Sequence, residues 1–373
     1  MQILKGIILT SAILAVVLYA YSWHFLITVL VISFLIFFHE LGHFLAARML
    51  KVGVLKFSVG FGQSIYSKTI GGTEYAIGAI PLGGYVSLKG QEDSKPGLKN
   101  EDADSYTRLS PLGRIFILFA GPFFNFALAF FIFIALGHIG VERLAPTVGK
   151  VLENSAAARA GLQKGDKILN INGIKISEWD EISKNINLTS TAITLERAGE
   201  IKTINLTPKI GQSTTIFGEK IEKPLIGISP SDEVVTIRNT GLSSLKFALV
   251  ETLNASKLIF TGLEKLIAGV VPLKEMGGII QITDITSKAA GIGVSTLLII
   301  AALISVNLGV LNLLPIPALD GGHIFFNLYE MIFGREMNEK VYIGLTYCGW
   351  AFLFCLMAFA TFNDVMRLSG ARQ

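Results

Sequence analysis

Long apolar stretches separated by polar segments dominate the pattern along the chain. Residues 25–50 are largely apolar, and comparable stretches cover 114–138, 293–323 and 341–364. Each is long enough to cross a hydrocarbon core of about 30 Å as a helix, which takes about 20 residues. The pattern predicts a polytopic α-helical membrane protein with four core-type transmembrane helices.

A further apolar stretch precedes the first of these spans. From Gly6 to Phe38 the chain is apolar almost throughout, and one straight helix of that length would measure about 50 Å. The break at Ser22-Trp23-His24 favours an extra N-terminal helix within residues 1–24. That helix, together with interfacial segments, brings the expected number to five. A cleaved signal peptide ending near Ala20 is the alternative.

Two of the polar segments have patterns of their own. Residues 51–113 combine short β-rich runs and glycines with a polar loop, which predicts a membrane-associated β-hairpin region. Residues 141–234 have the pattern of a separate soluble domain. Its hairpin turns are expected at Asn172-Gly173 and Ala198-Gly199, because such dipeptides between apolar runs favour tight turns.

The remaining segments and the basic residues predict how the chain crosses the membrane. Residues 240–291 contain an amphipathic, interfacial helical linker, and 324–340 is expected to be a connection. Basic residues near span ends favour the cytoplasmic side. They place 51–113 and 324–340 inside the cell and 141–234 outside it. The residues concerned are Lys5, Arg48, Lys51, Lys56, Arg108, Arg114, Arg335 and Lys340.

Composition excludes several classes of function. Of the 373 residues, 51% are hydrophobic and 16% are charged, and a net charge of +4 without a basic cluster argues against nucleic-acid binding. Cys348 and Cys355 lie seven residues apart in one apolar segment, too far along a helix for a disulfide. The sequence contains neither a CxxC zinc ribbon nor a P-loop.

The clearest chemical motif is His39-Glu40-Leu41-Gly42-His43, within the first core span. A helix places residues four apart on one face, so both imidazoles can ligate one metal ion. Glu40 then lies beside the metal and can act as the general base on a zinc-activated water. Ionisable groups in so apolar a stretch are functional by default.

A catalytic zinc needs a third protein ligand, and residues 44–72 contain neither His nor Glu. The segment from Asn312 to His323 carries two prolines and then Asp320, a lone carboxylate in broken, apolar surroundings. We therefore predict Asp320 as the third ligand. Two alternatives remain open: Asp320 caps a helix that begins at Gly321, or His323 ligates the metal instead.

These residues resemble the site-2 protease family of intramembrane zinc metalloproteases, and most closely its bacterial branch typified by the regulator of sigma-E protease. The resemblance covers residues 25–370, and its motifs occur in the family's order. They are HELGH at 39–43, Gly60-Phe61-Gly62, Pro81-Leu-Gly-Gly-Tyr-Val86, Gly121-Pro-Phe-Phe-Asn125, an insert at 149–176 that looks like one PDZ domain, and Asn312 to His323.

The resemblance implies roles for particular residues. His39, His43 and Asp320 would bind one zinc ion, Glu40 would activate water, and Asn312 would hold the substrate or the oxyanion. The hairpin would present an edge strand to an unwound substrate helix. Further candidates for substrate binding are Gly60, Gly62, Gly83, Gly84 and Asn125. Asn125 could instead hydrogen-bond the histidine or aspartate region, or pack between helices.

The resemblance also implies a function and a location. The protein would be a multi-pass protease of the bacterial inner membrane, with its active site towards the cytoplasm and the PDZ domain outside. Its substrates would be single-span membrane proteins trimmed beforehand by a site-1-type protease, such as anti-sigma-factor-like proteins or signal-peptide remnants. The family's best-described members carry two PDZ domains, whereas 141–234 has room for one. A catalytically inactive PDZ scaffold or assembly factor is the alternative.

Overall fold

The computed structural model describes residues 23–91 and 100–370, apart from the side chains of His24 and Leu82. The helix predicted within residues 1–24 lies outside the described residues but for its last two positions. The chain divides into two compact units. The first comprises Met1–Leu136, Leu245–Glu264 and Pro272–Gln373, and the second comprises Gly137–Ser244 and Lys265–Val271.

The described helices and strands are numbered in chain order. The helices are α1 (Trp23–Met49), α2 (Pro111–Ile139), α3 (Ala156–Arg159), α4 (Trp179–Asn185), α5 (Leu242–Ile267), α6 (Ile279–Ile292), α7 (Val294–Asn312), α8 (Asp320–Phe333) and α9 (Glu339–Leu368). The strands are β1 (Val54–Ile70), β2 (Thr73–Leu88), β3 (Val141–Leu144), β4 (Val148–Val151), β5 (Lys167–Ile171), β6 (Ile174–Lys175), β7 (Thr191–Arg197), β8 (Glu200–Leu206), β9 (Lys209–Thr214), β10 (Lys220–Leu225), β11 (Ile228–Pro230) and β12 (Val234–Ile237).

Four helices of the first unit match the predicted spans. Within the described residues, α1, α2, α7 and α9 are long and apolar enough to cross a membrane. Their positions confirm a multi-pass α-helical membrane protein. The amphipathic helix expected after the soluble domain is also present as α5, which is not among these candidate spans.

The segment predicted as the third span contains the expected proline break. The stretch 293–323 was expected to hold a transmembrane helix and 324–340 to be a connection; α7 ends at Asn312, and a separate helix, α8, begins at Asp320 and occupies much of the expected connection. Pro315 and Pro317 lack the backbone N–H that a continuous helix requires, which accounts for the break. Gly334, in the left-handed conformation, ends α8.

The segment after α1 forms a sheet in which β1 and β2 each fold back, so that β1 residues 54–59 pair on one side with residues 84–88 and on the other with residues 74–77 of β2. Residues 64–70 of β1 pair with residues 73–78 of β2, so the predicted short runs remain distinct pairing segments, separated by shifts in register. Phe57 of β1 packs its ring against Phe37 and Phe44 of α1, which holds the hairpin on the HELGH helix. No further described strand pairs with either edge of this sheet.

The second unit contains the segment predicted as a soluble domain. Strands β6-β5-β7-β8 form a four-stranded sheet, and β3–β12, β4–β11 and β9–β10 form antiparallel pairs. Both predicted hairpin turns are confirmed: Asn172 and Ala198 have positive φ, each followed by a glycine with positive φ. The core is aliphatic, with Ile168, Ile171 and Ile193 fully buried.

Candidate metal centre

His39 and His43 lie one turn apart on α1, and their rings face the same point. Their Nε2 atoms are 3.1 Å apart. Each residue is only 7% exposed. The four-residue spacing on a helix thus brings both imidazoles to one face, as the sequence predicted.

Asp320, the first residue of α8, completes the cluster. Its Oδ2 lies 3.2 Å from Nε2 of His39 and 3.4 Å from Nε2 of His43. Among the described residues, these three form the one group of His, Cys, Asp or Glu side chains suited to hold a metal ion. The N-cap of α8 is Leu319, so Asp320 is not the capping residue. His323, the competing ligand, is not part of the group.

Each histidine makes a polar contact through Nδ1, the ring nitrogen that faces away from the cluster. The Nδ1 of His43 lies 2.8 Å from the backbone carbonyl of Ile117. A carbonyl only accepts, so Nδ1 carries the proton and Nε2 keeps its lone pair for a ligand. The Nδ1 of His39 lies 3.0 Å from Nδ2 of Asn125. The matching role, in which Nδ1 donates, requires the amide oxygen of Asn125 at that position.

Asn125 contacts the histidine pair and also lines the cavity. It is fully buried in α2, and its amide contacts His39, the arrangement that the sequence left open beside substrate binding, which remains a prediction. Its backbone carbonyl accepts a hydrogen bond of 2.8 Å from Ser305 of α7. Exchanging the two terminal atoms of this amide would place Oδ1, which is buried without a partner, against Nδ1 of His39, where it accepts the ring proton.

The two histidines need a glycine opposite them on α2. A Cβ at Gly121 would overlap Nε2 of His43 and lie 2.8 Å from Cε1 of His39. Because real Cβ atoms do not approach other atoms so closely, a larger residue there would displace the rings. Close packing against the two histidines thus explains why the predicted Gly121-Pro122 motif has a glycine at position 121.

Glu40 is held by the hairpin. The backbone N–H of Val86, in β2, donates a hydrogen bond of 3.1 Å to Oε2 of Glu40. Glu40 also lines the same cavity as His39, His43 and Asp320. The carboxylate is therefore oriented towards the cluster by a strand that is distant in sequence.

A cavity of about 500 Å³ opens onto the cluster, and all of its lining belongs to the first unit. Asn312, the last residue of α7, lines it, in agreement with its predicted place at the site. The predicted glycines Gly60, Gly62, Gly83 and Gly84 lie in the hairpin and are not among the lining residues, whereas Val86 and Leu88 of β2 are. Substrate binding by these glycines remains a prediction.

Sequence reasoning missed a polar row on α8. Asp320, His323, Asn327 and Glu330 follow one another at helical spacing and all line the cavity. Glu330 pairs with Arg114 of α2 at 2.9 Å, and Nδ1 of His323 lies 3.2 Å from the Tyr342 hydroxyl. The signal was present as polar residues three, seven and ten positions after Asp320, of which Asn327 and Glu330 lie in the segment expected to be a connection.

Four apolar helices and a buried His-His-Asp cluster define a multi-pass membrane protein built around a metal-binding site. The model of peptidase family M50 matches residues 27–356. This chain therefore belongs to peptidase family M50, whose members use zinc, and it is a zinc metalloprotease of the membrane.

Relatives support the same assignment over the whole length. A Campylobacter jejuni protein named "Putative zinc metalloprotease Cj1068" is 54% identical over 367 residues, covering 98% of this chain and all of that protein. A Helicobacter pylori protein (strain J99) of the same description is 38% identical and covers 92% of this chain and 99% of its own. One from Clostridium acetobutylicum is 34% identical, with 92% and 98% covered.

Proposed function

We propose that this protein is an intramembrane endopeptidase that hydrolyses peptide bonds within or near the transmembrane segments of other membrane proteins. The observation that carries the proposal is the position of the His39–His43–Asp320 cluster. Two of its members lie on α1, a candidate span, and the third begins the helix after α7, another candidate span. A reaction at this cluster takes place where the surrounding helices are apolar.

The donor atoms fit a zinc ion. Zinc binds nitrogen and oxygen donors at about 2.0–2.2 Å with tetrahedral geometry, which separates the donors from one another by about 3.3–3.5 Å. The three donor atoms here are 3.1, 3.2 and 3.4 Å apart. Asp320 Oδ2 is buried and accepts no hydrogen bond, as expected of an atom reserved for a ligand. His39, His43 and Asp320 would hold the ion.

The residues around the cluster divide the chemistry among them. When bound, zinc supplies Lewis acidity, which lowers the pKa of water and polarises a carbonyl group. Glu40 accepts the proton of the attacking water at its carboxylate and delivers it to the departing amine. Val86 keeps that carboxylate in place through its N–H. Asn312 lines the cavity and, in this proposal, holds the substrate carbonyl or the developing oxyanion.

The hairpin offers a way to bind the scissile segment. A transmembrane helix satisfies its own backbone hydrogen bonds, so cleavage requires local unwinding. An unpaired strand edge can take up the freed groups by strand addition. Residues 84–88 of β2 pair on one side with residues 54–59 of β1 and on the other with no described strand, and Val86 and Leu88 of this segment line the cavity.

The remaining features complete the proposal. The second unit is a single PDZ domain outside the cytoplasm that restricts which substrates reach the site, in a protein of the regulator of sigma-E protease-like branch. The enzyme lies in the bacterial inner membrane, with its site towards the cytoplasm. Its substrates are single-span proteins, anti-sigma-factor-like or signal-peptide remnants, trimmed first by a site-1-type protease. Support comes from the glycine-rich insert, the β-rich second unit and the basic residues at the span ends.

The test compares full-length wild-type protein with Glu40→Gln in detergent, using a tagged single-span substrate and measuring zinc on both. We expect cleavage inside the span by the wild type and a loss of about 10²- to 10⁴-fold in Glu40→Gln, with zinc retained. Glu101→Gln, in an exposed loop, is the matched control and should cleave normally. A wild type that binds no zinc and cuts nothing would favour the inactive scaffold.

A further inference from the structure

The cavity extends beyond the metal cluster along α8. Asp320, His323, Asn327 and Glu330 occupy one face of that helix and line the cavity together. Ten residues of helix rise about 15 Å. The cavity therefore has an arm that leads from the cluster to the Arg114–Glu330 pair, and we call these four residues and that pair the α8 arm.

Asn327 has an unused hydrogen-bond acceptor inside this arm. The residue is 7% exposed, and its Nδ2 donates to the backbone carbonyl of His323 at 2.7 Å. That bond fixes the amide plane, and the opposite atom, Oδ1, is buried without a partner. Buried acceptors are satisfied in native structures, so this oxygen is suited to an N–H group that a ligand brings.

The outer end of the arm collects carboxylates. Glu330, Glu336 and Glu339 line the cavity, whereas their basic sequence neighbours Arg335 and Lys340 do not. Among the described residues of the lining, one guanidinium is present, that of Arg114, and it is paired with Glu330 at 2.9 Å. In the described part of the chain, more carboxylates than basic side chains thus line this end of the cavity, which gives it a negative potential.

We propose that the α8 arm binds the polar flank of the substrate's transmembrane segment and selects flanks rich in lysine or arginine. This inference rests on the proposed function. Asn327 Oδ1 accepts a backbone N–H of the extended flank, and Glu336 and Glu339 attract its cationic side chains. Cytoplasmic flanks of membrane spans are enriched in Lys and Arg, so the charge of the arm complements a general property of such segments.

The length of the arm determines how far from the scissile bond the basic residues of the substrate should lie. An extended chain advances about 3.3 Å per residue, so about 15 Å corresponds to four or five residues. Basic side chains at about the fourth to sixth position from the scissile bond would therefore reach Glu336 and Glu339. Basic residues much nearer to the scissile bond, or far beyond this window, should not increase the binding affinity.

The test measures binding apart from chemistry. Full-length Glu40→Gln protein is titrated with three fluorescent single-span peptides that share one transmembrane sequence and carry three Lys, three Gln or three Glu in that window. We expect the Lys peptide to bind about tenfold more tightly than the Glu peptide at low salt, and the difference to shrink at about 0.5 M salt. In Glu40→Gln/Glu336→Gln/Glu339→Gln the difference in affinity should fall below about twofold. The two carboxylates that attract the basic flank are then absent, and any other exposed ion pair contributes little by itself.

A matched variant and a second substitution separate the two parts of the arm. Glu40→Gln/Glu101→Gln removes an exposed carboxylate outside the cavity and should keep the tenfold difference. Asn327→Ala, on the Glu40→Gln background, should weaken all three peptides by a similar factor, about three- to tenfold, because it removes a contact to the backbone. Zinc content and hydrogen exchange of α8 check that the fold persists.

The outcomes distinguish this inference from the function on which it rests. Equal affinity for all three peptides, or a charge preference that survives the Glu336 and Glu339 substitutions, overturns the inference. Wild-type protein that cleaves all three substrates equally would do the same and leave the protease function intact. If the protein prefers the Lys peptide through Glu336 and Glu339 and yet cleaves none of the substrates, that outcome supports flank binding by the α8 arm and contradicts the proposed protease function.

Discussion

The side-chain amide of Asn125 lies 3.0 Å from Nδ1 of His39, so a residue of α2 sets the orientation of the first histidine on α1. Partners of this kind fix the ring tautomer, and their loss usually weakens metal binding by about 10- to 100-fold. We expect Asn125→Ala to lower zinc affinity by that factor, as measured by competition with a chelator. Asn254→Ala, on the exposed part of α5, is the control. Unchanged affinity in Asn125→Ala would mean that the contact is incidental.

Gly121→Ala should disrupt the centre without altering any ligand. The new Cβ would overlap Nε2 of His43, and the helix backbone leaves it no room to move. We expect loss of most bound zinc and of proteolysis. Gly113→Ala lies on the same helix, where the added Cβ would be 3.5 Å or more from its neighbours, and should bind zinc normally. Equal zinc content in the two variants would contradict the close packing described here.

Gly349→Ala tests the support of Asp320 from the far side. Gly349 of α9 packs directly on the segment before α8, and a Cβ there would overlap the carbonyl oxygen of Pro317. Displacement of this segment shifts Asp320, so we expect weaker zinc binding and lower kcat. Gly344→Ala, on the same helix, meets no atom within 4 Å and is the matched control. Activity and zinc content in Gly344→Ala should equal those of the wild type.

A buried ion pair makes the stability of the second unit depend on pH. Burial by itself raises the pKa of the Asp166 carboxyl, but the hydrogen bonds from Arg197 and from the Gln163 N–H outweigh it and hold the pKa below its ordinary value. Asp166 is 1% exposed and Arg197 26% exposed, and they lie 2.6 Å apart. Arg197→Ala should therefore destabilise the unit by about 3 kcal/mol at neutral pH.

The sign of the pH dependence follows from the lowered pKa. A carboxyl whose pKa is lower in the folded state stabilises the fold above its unfolded value of about 3.9, and this contribution disappears as the pH falls through the folded value. The difference between wild type and Arg197→Ala should shrink below about pH 4. Hydrogen exchange of the β5 and β7 amides, corrected for intrinsic rates, measures this stability difference at each pH. Lys202→Ala, which removes an exposed pair with Glu200, should cost less than about 1 kcal/mol.

Asp364 provides a test of how α6 is anchored. This carboxylate on α9 accepts hydrogen bonds of 3.0–3.1 Å from the backbone N–H groups of Gly278, Ile280 and Gln281 at the start of α6. Asp364→Ala leaves those donors unpaired, so we expect the first turn of α6 to exchange its amide hydrogens faster, by about tenfold or more. Asp284→Ala, on the exposed face of α6, should leave that exchange unchanged.

The features predictable from sequence were those that depend on local spacing. The four-residue interval of His39 and His43 and the length of the apolar runs follow from helix geometry alone. Asp320 was predictable because a carboxylate stood alone in a proline-broken apolar segment. The two hairpin turns followed from their Asn-Gly and Ala-Gly dipeptides.

The contacts that shape the site were not predictable, because they join elements distant in the chain. Nothing local indicates that the Ile117 carbonyl meets His43, or that the Val86 N–H meets Glu40. The proline break after α7 was predictable, but the continuation of α8 through residues 324–333 was not, because hydropathy alone does not distinguish a short helix from a connection. The polar row of α8 was missed for the same reason: its spacing becomes meaningful only once that segment is known to be a helix.

The separation of the ligands along the chain affects when the enzyme can first act. Asp320 is synthesised 277 residues after His43. At about 5–20 residues per second, translation needs roughly 14 to 55 seconds to cover that interval. During this time the nascent chain holds two of its three metal ligands and no complete centre. Proteolytic capability therefore arises only after synthesis has passed Asp320, so a chain that has not reached α8 cannot attack its neighbours at the site of insertion.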